Sequence, residues 1–369
     1  MRGSFTSVRR LLLASVACVL GAAALTFAVD PLQLFRPSRL IAPFYSDDTR
    51  MQNAGLIRSQ SFDTAFIGTS LAIHFRQSDI DRALGVRSLK LAMTGSNSRQ
   101  QGFVLEQAID RGARRVIWAM DDFSFVDAAG IEADPYLSVD LYRRTAKGIA
   151  AYLFNAAMAK ESLFALLRSI PPLREPLTRA APLLPVKFAL FDVDDIYALP
   201  RDFDVARAYS AERTRAAFAY ITDPVRSSFL GEGYGYGAMV RHFERDAVGL
   251  ITRHPDVTFD IYFPPYSILQ FVAMRDASPA TLKIVTDLTA LVAQRLTQLP
   301  NVRLHDFRAI KAVTHDLNNY GDVIHHSPVI DAMVLKWLAS GEYRVDPNKP
   351  TASLEELKAQ VEAYRVRQP

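Results

Sequence analysis

Between residues 62 and 122 the chain repeatedly runs a short apolar segment into a sharp corner, and this rhythm allows few architectures. Phe62 to Ile67 stops on Gly68-Thr69-Ser70, Ser88 to Met93 on Thr94-Gly95-Ser96-Asn97, and Arg115 to Met120 on Asp121-Asp122. Ala65-Phe66-Ile67 is too short and too closely flanked by turn residues for a helix. It reads as a buried strand, with Gly68 permitting the turn that follows. Leu71–Leu84 and Gln100–Arg111 read as the intervening helices, the second amphipathic through Phe103, Val104, Ala108 and Ile109. Such a succession predicts an α/β fold: a parallel sheet with helices on its faces.

The rhythm breaks over residues 128–247, where helical stretches at Leu141–Ala159 and Val205–Tyr220 are interrupted by Pro171-Pro172, Pro182 and Pro185. A block of this size exceeds a simple βα connection and is expected to be a mainly helical insertion over the catalytic edge. Within it, the glycine-rich run Gly231 to Gly237 reads either as a cleft lining or as a flexible loop. It lacks the Gly-Lys-Ser/Thr ending of a phosphate loop. The sheet resumes at Val257–Phe263, ending on Pro264-Pro265-Tyr266, and continues at Val302–Phe307, with helices at Pro279–Leu299 and Pro328–Leu338. A charged terminal helix spans Leu354–Tyr364. The expected organisation is a tip and anchor (1–30), a stalk and helix (31–60), two half-domains (61–127 and 248–345) around the insertion, and a tail (346–369).

Leu11 to Val29 carries no charge and follows Arg2, Arg9 and Arg10. About 20 apolar residues span a bilayer as a helix, and flanking positive charge stays cytoplasmic. Residues 11–29 are therefore expected to cross a bacterial inner membrane once and leave the body in the periplasm. Ala22-Ala23-Ala24 also fits a cleaved signal peptide; the continuation through Phe27 and Val29 favours a retained anchor. The only cysteine, Cys18, lies in this run, which excludes an internal disulfide or a cysteine metal site in the body. A net charge of +4 with no basic stretch interleaved with aromatics gives no footprint for nucleic acid.

A serine at the carboxyl end of a strand can expose its hydroxyl where open α/β sheets bind ligands. Ser70 holds that position, and far along the chain Asp322-Val323-Ile324-His325 supplies a carboxylate and an imidazole. A serine nucleophile needs such a base and orienter. Neighbouring side chains point apart on a regular backbone, and His325 rather than His326 is assigned as the base. His74, on the helix after Ser70, reads as a packing residue.

Together, the Gly-Thr-Ser corner, the Gly95 corner, the post-strand Asp121-Asp122 and the late Asp-x-x-His resemble the ordered blocks of the SGNH (GDSL-like) hydrolase family, more narrowly its membrane-anchored cell-envelope branch. The resemblance covers roughly residues 60–125 and 250–340 and not the insertion. It implies a three-layer, flavodoxin-like domain with Ser70 as nucleophile, His325 as general base and then acid, and Asp322 as orienter. The family's oxyanion hole uses the serine amide, the glycine of the second block and an asparagine after the third strand. Gly95 fits the second role. Asp121 stands where the asparagine belongs and cannot donate when ionised; Asn97 is another source of an amide.

The resemblance implies an esterase or O-acyltransferase acting on acyl, chiefly acetyl, esters of envelope or extracellular polysaccharide, without a cofactor, beside a polysaccharide biosynthesis complex. A different reading is an inactive carbohydrate-binding or assembly protein, which the Asp121 departure favours. A third is a metal site among His315, Asp316, Asp322, His325 and His326, whose spacing matches no recognised ligand motif.

Overall fold

The apolar runs after residue 61 form a single five-stranded parallel sheet: β1 Thr64–Ile67, β2 Ser88–Lys90, β3 Arg115–Ala119, β4 Thr258–Phe263 and β5 Val302–Asp306. This is a computed structural model, and it describes residues 2–38, 40–41, 49–126, 131, 134, 137–170, 208–226, 230 and 232–366. Every residue of β1 is buried, and β4 is buried beyond Thr258, which is why these runs are continuously apolar rather than alternating. The exception is Asp260, which bonds Arg115 on β3 at 2.6 Å and Arg303 on β5 at 2.5 and 2.7 Å.

The strand order is β2-β1-β3-β4-β5. The chain steps outward from β1 to β2, then crosses back over β1 to β3 and continues in that direction. Right-handed crossovers therefore put the β1–β2 connection on one face and the later ones on the other. The order reverses between β1 and β3, which pair from Thr64↔Arg115 to Ile67↔Trp118. Side chains just beyond the ends of these two strands share the crevice where such sheets bind ligands.

The expected helix over Leu71–Leu84 is two helices, Ser70–Ile73 and Gln77–Leu84. Between them Phe75 turns into the core, its ring 4.9 Å from that of Phe66. Lys90 Nζ captures the Ile73 and Phe75 carbonyls at 2.8 and 2.6 Å, so the ladder does not continue. The stretch Leu141–Ala159 is likewise three helices, Val139–Tyr142, Ala146–Leu153 and Ala156–Arg168. Arg144 at φ +54° interrupts it, and Asn155 Oδ1 accepts from the Ala157 and Met158 amides to start the last helix. Ser210 caps Ala211–Thr222, while residues 205–207 and the four interrupting prolines lie outside the described residues.

Two helical stretches were not legible in sequence. Ile268–Ala277 follows β4, and Tyr236–Phe243 leads through a π-helical turn, Glu244–Val248, into Gly249–Arg253. In the second, Met239, Phe243, Ala247 and Ile251 recur at helical spacing, a pattern overshadowed by the glycine run just before it.

Contacts divide the chain into two compact units. One holds residues 1–61 and 134–196; the other, residues 62–133 and 197–369, contains the whole sheet. The 128–247 block is thus shared between the units. In the first unit, Val8–Val29 has mean hydropathy 2.3 and is, among the described residues, the one helix long and apolar enough to cross a membrane. Asp30 ends that helix: its carboxylate accepts from the Leu34, Phe35 and Arg36 amides at 2.9, 2.8 and 3.1 Å and from Tyr152 Oη at 3.0 Å.

Candidate active site

Gly68 is the residue at which β1 can turn. A Cβ there would lie 2.7 Å from Ala119 Cβ and 2.8 Å from Ala72 Cβ, closer than carbon atoms approach. Thr69 begins the four-residue helix Ser70–Ile73, with its carbonyl accepting from the Ala72 amide at 3.1 Å. The next residue, Ser70, is partly exposed at the strand-reversal point.

His325 Nε2 lies 2.9 Å from Ser70 Oγ, and His325 Nδ1 lies 2.6 Å from Asp322 Oδ2. The spacing of the Asp-x-x-His motif explains the second contact. Asp322 Oδ1 accepts from the Ile324 and His325 amides, both at 2.8 Å, which curls the turn until the other oxygen reaches the ring. The loop is held from outside as well. Thr214 Oγ1 donates toward the Leu317 and Tyr320 carbonyls, Tyr320 Oη to the Pro265 carbonyl, and the Ser267 amide to the Val323 carbonyl.

Burial pushes the His325 pKa down, but the hydrogen bond and charge of Asp322 outweigh it, leaving the imidazole above its ordinary value. Asp322 is pushed up by burial and pulled further down by His325 and the two amides, so its carboxyl is below the usual range. An ionised Asp322 accepts the Nδ1 proton, which leaves the Nε2 lone pair to accept from the serine hydroxyl. This network can take a proton from Ser70.

His326 is not part of it. Its ring is buried, edge-on to Phe75, and its Nδ1 sits 3.1 Å from Asp331 Oδ1 without hydrogen-bonding geometry. His74 is beside His325, its ring 6.3 Å from that of His325 and within 18° of parallel. Burial, then the nearby His326, His325 and Lys90, push its pKa down to about 3, so it stands there uncharged at neutral pH.

The three expected oxyanion residues stand in different settings. Gly95 lies exposed in a turn at φ +59°. Asn97 caps the helix Ser98–Asp110: its Oδ1 accepts from the Gln100 amide at 2.9 Å while Gln100 Oε1 accepts from the Asn97 amide at 3.3 Å. Among the described residues, no hydrogen bond joins either one to Ser70 or His325. Asp121 is wholly buried beneath the serine corner rather than facing a ligand. One of its oxygens accepts from Thr69 Oγ1 at 2.5 Å, the other from Tyr266 Oη. The carboxyl ties Thr69, the residue before Ser70, to Tyr266 just beyond β4.

Burial raises the Asp121 pKa from 3.8 to about 7, against the pull of the Thr69 and Tyr266 bonds. The folded protein then holds a proton that the unfolded chain releases, so stability is greatest below pH 3.8 from this group and declines as pH rises toward about 7. Asp121→Asn is expected to flatten the stability curve across that window, measured as thermal unfolding in a pH series. An unchanged slope would show that Asp121 is ionised when folded.

Several residues of the site carried little sequence signal. Thr69 and Tyr266 act through Asp121, and Asp122 accepts from Tyr234 of the glycine-rich run at 3.1 Å. Lys90 had the clearest available cue, a lone charge inside an apolar strand. The five residues of the metal reading do not converge. His326 faces Asp331, His315 packs 5.4 Å from the Tyr364 ring, and among the described residues no group of three or more such side chains is arranged to hold a metal ion.

Compared with protein-family models, curated proteins and solved structures, the chain matches none.

Proposed function

We propose that this chain is an SGNH-like serine esterase or O-acyltransferase, anchored in a bacterial inner membrane through residues 11–29, that acts in the periplasm on acyl, chiefly acetyl, esters of envelope or extracellular polysaccharide. The observation that carries the reading is the unbroken chain from Ser70 Oγ through His325 to Asp322, at 2.9 and 2.6 Å, beyond the end of β1. Binding alone requires no such relay. The apolar helix Val8–Val29, with its preceding arginines, supports the anchor and its orientation.

In the reaction Ser70 Oγ attacks the ester carbonyl as His325 Nε2 accepts its proton, and Asp322 stabilises the imidazolium that forms. The tetrahedral intermediate collapses to an acyl-serine when the sugar oxygen leaves with the His325 proton. Water or a second sugar hydroxyl then gives its proton to His325 as its oxygen bonds the acyl carbon, and the bond to Ser70 Oγ breaks as His325 returns that proton to the serine. The first outcome is hydrolysis; the second is transfer. With Asp121 buried and engaged, the oxyanion donors would be the backbone amides of Ser70 and Gly95, the roles the family resemblance assigns them. The lack of a side-chain amide in the Asp121 position is the one feature that favours the inactive, carbohydrate-binding reading.

A fluorophosphonate probe separates the two readings. The full-length protein in detergent is expected to be labelled at Ser70 and protected by Ser70→Ala, with a matching change in polysaccharide O-acyl content in cells. Unlabelled protein with an unaltered acyl content would leave only the binding role.

A further inference from the structure

The apolar helix Val8–Val29 is bare over most of its length and covered over its last two turns. Every residue from Val8 to Gly21 is exposed, whereas Ala23, Thr26 and Val29 are buried and recur on one face. The helices Ala146–Leu153 and Ala156–Arg168, of the same compact unit, pack on it. In the second of them Met158, Ser162 and Ala165 are buried at i, i+4 and i+7. Ala165 joins Val29 and Ile41 in one apolar cluster, with Leu25 and Leu166 packed against it.

The length of the apolar helix decides where this packing lies. Its 22 residues rise about 33 Å, and the hydrocarbon of a bilayer is about 30 Å thick. Were the covered turns held in water, residues 8–21 would have to span it alone, and they reach only about 21 Å. That length already includes Arg9 and Arg10, and lengthening the span at its N-terminal end would carry both guanidinium groups deeper into lipid, where they are costly.

The outer end is marked independently. Arg36 Nη2 donates to the Phe27 and Ala28 carbonyls, with the guanidinium 4.9 Å from the Phe27 ring centre, and the Arg144 guanidinium lies 5.6 Å over Phe35. Cations stacked on aromatic rings at a helix terminus suit the depth of the headgroups. Val29 then stands at the outer boundary of the hydrocarbon, and the covered turns from Ala22 lie within about 12 Å of it. Whatever covers them shares that depth.

The covering helices are suited to it. Phe154 and Leu163 are 56% and 44% exposed. The hydroxyls at the contact bond to their own helices, Ser162 Oγ to the Met158 carbonyl at 2.7 Å and Thr26 Oγ1 to the Ala22 carbonyl at 3.1 Å. Asn155 Oδ1 takes the Ala157 and Met158 amides, so the start of the second helix needs no water. Of the charges, Lys147 is paired with Asp140 at 2.7 Å, Glu161 is half-buried, and the Lys160 stem is long enough to return its ammonium to the headgroups.

We propose that the helices Ala146–Leu153 and Ala156–Arg168 are sunk in the outer leaflet of the bilayer beside the membrane helix, with Phe154 and Leu163 against lipid acyl chains. The inference rests on residues 11–29 crossing the membrane and adds a second, non-spanning attachment to it. It makes no demand on the chemistry at Ser70.

The test is spin labelling of the full-length protein in phosphatidylcholine vesicles, reading collisions with oxygen, which concentrates in hydrocarbon, and with a water-soluble nickel chelate. The only cysteine, Cys18, is exposed on the bare part of the helix and gives the reference for lipid. In a Cys18→Ser background, labels are placed by Phe154→Cys, by Leu163→Cys and, as the reference for water, by Val225→Cys, a position 85% exposed in the other unit. All three sites are exposed, and the unfolding temperature is the control for folding. The oxygen-to-nickel ratio at positions 154 and 163 is expected to exceed that at 225 by about tenfold or more, because the chelate does not enter the bilayer core. Ratios equal to that at 225, with Cys18 in lipid, would overturn the proposal and leave the anchor standing. Few collisions with either reagent would mean that a second copy of the chain covers this face, which would also overturn it. A water-like ratio at Cys18 itself would remove the anchor, and this inference with it.

Discussion

Asp322→Asn is expected to lower the hydrolysis of an aryl acetate by about 10⁴-fold while leaving the protein folded, as loss of the orienting carboxylate does in serine-histidine-aspartate enzymes. The reason lies in which atoms the substitution changes. The Asn oxygen can still accept from the Ile324 and His325 amides, which Asp322 Oδ1 holds at 2.8 Å, so the turn persists. The other position becomes an NH₂ facing His325 Nδ1, where the carboxylate now sits at 2.6 Å. A donor there obliges Nδ1 to accept, which moves the ring proton to Nε2. The nitrogen 2.9 Å from Ser70 Oγ then carries a hydrogen and cannot take another from the serine. Steady-state rates and an unfolding curve on the same preparation separate loss of the relay from loss of the fold. A variant within about tenfold of the parent would show that His325 is not Ser70's base.

Lys90→Met is expected to produce the largest stability loss, about 3–5 kcal/mol, the range for removing one partner from a buried charged cluster. Lys90 is 1% exposed, at the end of β2, and its ammonium donates to the Ile73 and Phe75 carbonyls at 2.8 and 2.6 Å. Methionine fills a similar volume but donates nothing, so both carbonyls lose their partner in the interior. Asp331 would also lose a nearby positive charge. Burial raises its pKa, while His326 and then Lys90 oppose that rise, so without Lys90 the acid form is favoured further. Denaturant unfolding should show a lower midpoint with an unchanged slope. Because the two carbonyls belong to the end of the serine helix and the turn after it, labelling of Ser70 should fall under conditions where the variant is still folded. A midpoint equal to that of the parent would mean the ammonium is not bonded inside the protein.

These two side chains mark how far the sequence reading reached. Asp322 was legible because the interaction it makes is local: two carboxylate–amide bonds within three residues set the turn, and a spacing motif expresses that directly. Lys90 was not, because its partners come from a helix that the periodicity ran through without a break. Asp121 shows the same divide. Its place after an apolar strand was plain, but its surroundings were not. An aspartate in water cannot support an oxyanion, whereas a buried one held by Thr69 and Tyr266 braces the corner on which Ser70 stands. Asn97 was identifiable as an amide near the site, and the capping of Ser98–Asp110 was just as visible in the Asn-x-x-Gln spacing.

From the sequence alone came the parallel α/β class, a candidate membrane-crossing segment, and the three residues Ser70, Asp322 and His325, since apolar runs, chain corners and short spacings are properties of neighbouring residues. Tertiary structure alone decided that Ser70 and His325 lie within hydrogen-bond reach, that His326 turns inward, and that Asp121 is sealed from solvent. The sheet order β2-β1-β3-β4-β5 is what brings the ends of β1 and β3 side by side. Such proximities arise from crossovers between distant segments, and burial, which sets each group's charge, exists only once those segments have closed over it.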